Sequence, residues 1–129
     1  MEGLRHASMT DHKNQKFFLR LRFALTGLMH AVRAENSFRF QAGAFILVVL
    51  ALLVLQPEPL WWALVLLASA SVLAAELFNT AIEHLADHLH PQVHPSIRVV
   101  KDCAAAAVLV AVLGAVAVGV ALILHLLSR

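Results

Sequence analysis

Five side chains that end in oxygen recur at helical spacing near the middle of this chain: Glu76, Asn79, Thr80, Glu83 and Asp87. At about 100° per residue they share an arc of about 100° on one helix face, while Leu77, Phe78, Ala81, Ile82, Leu85 and Ala86 point elsewhere. Such a row of hard oxygen ligands suits Mg²⁺, which usually takes one or two carboxylates and leaves its other positions to water and phosphate oxygens. Lys101, the next lysine along the chain, is placed to supply a cation for those phosphates. Directly before the row, residues 60–75 contain nothing more polar than Ser69 and Ser71. Carboxylates this close to an apolar run are costly unless neutralised, protonated or paired, so their presence argues for a task. Glu83 and Asp87 also read as the solvated end of a long helix; that reading suits Glu76 and Asn79 less well, because they lie closer to the apolar run.

Other chemistries find less support. The series His84, His88, His90, His94 holds an i,i+4 pair, His84 and His88, that could grip a transition metal, but Pro91 and Pro95 break the helix there. A hydrated interfacial loop is the expected state. The single Cys103 cannot close an internal disulfide or complete a cysteine-rich zinc site, and its small apolar neighbours mark it as a packing residue. No Glu-x-x-His pair points to a di-iron centre. There is no Gly-x-Ser-x-Gly, no Walker loop and no Gly-x-Gly-x-x-Gly, so any nucleotide must be held by another arrangement. No nucleic-acid partner is expected.

The elements that must position these residues are membrane helices. Hydrophobic residues make up 60% of the chain and charged ones 14%, with a mean hydropathy of +0.78, which together exclude an ordinary soluble domain. Apolar runs cover residues 42–55, 60–75 and 104–127. The first two fall short of the roughly 20 residues that cross a bilayer and must extend into their flanks. The expectation is an all-α, three-span membrane protein with spans at about 38–56, 60–89 and 97–127. A helix over residues 60–89 would be about 45 Å long, so its last ten or so residues would project beyond a hydrocarbon core of about 30 Å. Glu76 would then lie about 24 Å along, at the edge of the apolar layer. A signal peptide is the competing reading of the first run, but that run ends at Gln56-Pro57-Glu58-Pro59 with no small-residue cleavage site.

Arg5, Lys13, Lys16, Arg20, Arg22, Arg33 and Arg39 all lie before the first apolar run, Arg98 and Lys101 lie between the second and third, and the loop between the first and second carries none. The N-terminus and the second loop are therefore expected in the cytoplasm, with the loop at residues 56–59 and the C-terminus outside. Before the first span, Phe18, Leu21, Leu25, Leu28 and Val32 recur at steps of three and four among basic residues, predicting an amphipathic surface helix at about 16–34. Residues 1–14 are polar and unpatterned and are expected to be disordered, leaving 15–129 as one domain.

Two segments, Glu76-Leu-Phe-Asn-Thr-Ala-Ile-Glu83 and Lys101-Asp-Cys-Ala-Ala-Ala-Ala-Val-Leu109, resemble the signature of the prokaryotic diacylglycerol kinase family, which includes undecaprenol kinases. Arg22-Phe-Ala-Leu-Thr-Gly27 and Glu35-Asn-Ser-Phe-Arg39 are similar to its surface helix and the junction with its first span. The resemblance covers about residues 16–124 and implies a homotrimer with sites shared between neighbouring subunits. Each site would use MgATP to convert diacylglycerol or undecaprenol to phosphatidic acid or undecaprenyl phosphate. It further implies that Glu76 is the general base and that Glu35 and Glu83 are the metal-binding carboxylates. Asn79, Asp87 and Asp102 match nucleotide-site or supporting positions, Lys101 matches a phosphate-contacting lysine, and Lys16 matches a basic residue near the phosphates. His94-Pro-Ser-Ile-Arg98 resembles the form common among undecaprenol kinases, and Ala24 stands where the diacylglycerol kinases often carry serine. A small membrane transporter or a non-catalytic scaffold are the alternatives. A transporter would more naturally place its acidic residues at mid-bilayer than at one edge.

Overall fold

The structure, a computed structural model, describes residues 17–89 and 94–128; the expectations for residues 1–14, Lys16 and His90 lie outside that range. It is all-helical, with α1 at Phe17–Ala34, α2 at Asn36–Leu55, α3 at Pro59–Leu89 and α4 at Pro95–Leu127. The last three are long and apolar enough to cross a membrane.

The helix boundaries follow from local chemistry. A single residue, Glu35, separates α1 from α2; its backbone is extended, at φ −108° and ψ 117°, and this interrupts what would otherwise be one continuous helix. α2 closes on Gln56, which takes the left-handed conformation at φ 44° and donates its backbone N–H to the Leu52 carbonyl. Pro57 follows directly and cannot continue the ladder, a common way for a helix to stop. α4 opens with Pro95 in its first turn, where no intrahelical N–H is needed. His94 caps it, its Nδ1 accepting from the Ser96 N–H at 3.2 Å.

α3 is the central helix, packing most extensively on α4 and next on α2, while α1 touches α2 and, more lightly, α3. A small core gathers Leu52, Val65 and Leu122, flanked by Val48, Trp61, Trp62, Val118 and Leu126. It lies towards the C-terminal ends of α2 and α4 and the N-terminal end of α3, the opposite end of the bundle from the acidic row. Beside it the rings of Trp61 and His125 are 5.3 Å apart, centroid to centroid. On α3 the inward stripe continues through Val65, Val72, Glu76 and Thr80, all buried. Their spacing of seven, four and four residues keeps them on one side of the helix.

Most apolar side chains face outward instead. Val54 is 81% exposed and Val110 69%, and Cys103 is exposed as well. Large side chains displayed this way would be costly against water, so these faces suit lipid or further helices. Along α4, Gly114 and Gly119 have nothing against them that an added Cβ would meet.

Candidate active site

Three elements meet at the end of the bundle that carries the acidic row: the α1–α2 junction, the second half of α3 and the first turns of α4. Glu76 occupies the inward stripe of α3 and is 3% exposed. A carboxylate so placed needs a hydrogen-bond donor. Ser37, in the first turn of α2, provides one: its Oγ donates to Glu76 Oε1. Next to Ser37, Arg39 Nη2 donates to Asn36 Oδ1 on the same helix.

One turn beyond Glu76, the Asn79 amide donates from Nδ2 to Glu83 Oε1 at 3.2 Å. The Asn79 Oδ1 is buried with no hydrogen-bond partner among the described residues. Glu35 reaches the same stretch of α3 from the helix junction, its Oε1 lying 3.3 Å from His84 Nε2. The His84 ring also meets His30 of α1 edge to face, with centroids 5.3 Å apart. Glu35 is therefore drawn to the residue beside Glu83 even though the two belong to different helices.

Lys101 and Asp87 form an ion pair at 2.8 Å that ties the end of α3 to the start of α4. Both side chains are accessible to solvent, so the pair adds little to stability and remains open to exchange with another anion. Asp102 pairs with Arg98 on its own helix at 3.8 Å, and both are largely exposed. The acidic row thus grades from buried at Glu76 and Thr80 to exposed at Asp87.

Sequence reasoning singled out neither Ser37 nor His84 for the site. Ser37 lies within the quoted junction block, two residues after Glu35, and that proximity was its one signal. His84 stands on α3, inside the span expected over residues 60–89, and what the sequence did not show is its contact with Glu35.

The donor set bears on Mg²⁺. Among the described residues, no three of His, Cys, Asp and Glu come close enough to form a metal cage. Mg²⁺ rarely uses an all-protein cage, and two carboxylates completed by phosphate oxygens and water are its ordinary arrangement. Glu83 and the Asn79 oxygen one turn from it are donors of that kind, while Glu35 is engaged by His84 at 3.3 Å.

Three membrane-length helices with a polar site where the apolar part of α3 gives way to carboxylates define a small multi-span membrane protein with a site at one edge. The sequence profile of the prokaryotic diacylglycerol kinase family matches residues 22–123, and the chain belongs to that family, a family of lipid phosphotransferases. It is 31% identical over 102 residues to the undecaprenol kinase of Bacillus subtilis, covering 78% of this chain and 83% of that one. It is 36% identical over 104 residues to the diacylglycerol kinase of Synechocystis sp., covering 80% of this chain but 59% of that protein's length. Family and helices together fit a bacterial inner membrane.

Proposed function

We propose that this chain is an ATP-dependent lipid kinase that transfers the γ-phosphoryl group of ATP to the hydroxyl of diacylglycerol or undecaprenol. The observation that carries this reading is the buried Glu76 carboxylate, in a family of lipid kinases, at the point on α3 where a lipid headgroup would sit. In the reaction, the lipid hydroxyl gives its proton to Glu76 while its oxygen bonds to the γ-phosphorus. The bond from that phosphorus to the bridging oxygen breaks, and ADP leaves with the electron pair. Little covalent chemistry is asked of the protein beyond this, so positioned charges suffice without a globular kinase fold. Glu35 and Glu83 would hold Mg²⁺, which when bound neutralises charge on the ATP phosphates and orients them. Lys101 exchanges Asp87 for phosphate oxygens, Asn79 supports Glu83, and Asp87 and Asp102 border the nucleotide. Lys16 is assigned to the phosphates by resemblance.

The two candidate lipids present similar apolar surface, and a few contacts discriminate poorly between such substrates. Purified protein supplied with ATP in lipid, with each alcohol added separately, should consume ATP and yield the phosphorylated lipid for at least one. ATP left intact with both would return the chain to the transporter or scaffold alternatives.

The assembly in this proposal is a homotrimer. Gly114, Ala115, Ala117, Gly119 and Ala121 allow close helix approach in lipid, and the open space at both glycines supports it. Native mass spectrometry of active protein should give three copies; a fully active monomer would refute the trimer. The surface helix α1 lies on the inner leaflet, with the N-terminus cytoplasmic. A reporter fused after Arg129 should be periplasmic and one inserted at Gln92 cytoplasmic, and the reverse labelling would overturn this orientation.

A further inference from the structure

The general-base reading of Glu76 leaves open what aims the carboxylate. From the hydrogen bond between the first turn of α2 and Glu76 we infer that Ser37 is a positioning residue for the base, an inference that rests on the proposed lipid kinase reaction.

Glu76 is held from outside its own helix. An ionised carboxylate only accepts hydrogen bonds. Within one turn on α3 its neighbours are Val72, Leu73, Asn79 and Thr80, and the Asn79 amide already donates to Glu83. Ser37 comes from a different helix, 39 positions away in sequence, and donates to Oε1. Oε2, which Ser37 does not engage, is the oxygen assigned to the proton of the lipid hydroxyl.

The chemistry of the donor matters as much as its place. A serine hydroxyl orients the group without adding a charge. Ser37 itself is exposed whereas Glu76 is buried, so the hydroxyl reaches the carboxylate from its more open side. The attachment of Glu35 to His84 holds the same end of α2 against α3, which fixes where the serine can reach.

Ser37→Ala is expected to lower kcat by about 10-fold to 100-fold, the scale for losing an orienting partner behind a reacting group. KM for lipid and the affinity for MgATP should stay near parent values. Ser37→Thr, which keeps the hydroxyl, should recover most of the rate. Combined with Glu76→Gln, the serine substitution should cost nothing further, because no base remains to be aimed. A parental kcat for Ser37→Ala in a protein where Glu76→Gln is impaired overturns this inference alone. So does a Ser37→Thr variant as slow as the alanine, a loss that multiplies in the double variant, or a loss of MgATP affinity equal to the loss in rate. A parental rate for Glu76→Gln overturns the base assignment and this inference with it.

Discussion

Glu83→Gln should abolish measurable turnover and weaken the dependence of nucleotide binding on Mg²⁺. Glu83 is half-buried on α3, hydrogen-bonded by the Asn79 amide, and adjacent in sequence to the histidine that holds Glu35. Removing its charge leaves Glu35 as the one carboxylate of the proposed pair and takes away a strong oxygen donor that the neutral amide does not replace. The Asn79 amide would lose its charged acceptor at the same time. The variant should still fold, since exchanging a carboxylate for an amide near a bilayer lowers an insertion cost and leaves the apolar faces untouched. Titrating ATP binding with and without Mg²⁺ checks the claim. A variant that keeps the parental metal dependence would remove Glu83 from the metal site.

Glu76→Gln should behave differently, although both residues face the same way. The two are seven residues and about 10 Å apart along α3. Glu76 is far the more buried, its visible partner being a neutral hydroxyl on α2. A glutamine there can still accept from Ser37 but cannot take the proton of a lipid hydroxyl. Metal-dependent nucleotide binding should therefore survive, while phosphoryl transfer slows by about 10²-fold to 10⁴-fold, the usual effect of losing a positioned base. Loss of nucleotide binding in this variant would merge the two roles and refute the division of labour along α3.

Those two roles were separable in the sequence only in part. Spacing alone put Glu76 and Glu83 on one face, because helical periodicity is local. Likewise the three apolar helices were legible from composition and run length, since a bilayer demands long apolar segments. The end of the surface helix was legible as well, expected at about residue 34 and found at Ala34; the start of the first span was less so, since no proline or glycine marks it, and it falls at Asn36 instead of near residue 38. Contacts between helices were hidden for a related reason. Ser37 meets Glu76, and Glu35 meets His84 across 49 positions. Both depend on how α2 lies against α3, and no local pattern encodes that. Asp102 shows the converse: it shares a sequence block with Lys101, yet it pairs along its own helix with Arg98 while Lys101 reaches across to Asp87.

The most direct test of the account follows the label from γ-labelled ATP into lipid during a single turnover, for the parent protein and for Glu76→Gln, in the same bilayer with diacylglycerol or undecaprenol. The parent should deliver label to one of the two alcohols, and the variant should bind MgATP normally yet deliver it about 10²-fold to 10⁴-fold more slowly. Label reaching lipid at the same rate in both proteins, or reaching neither lipid in the parent, would contradict it.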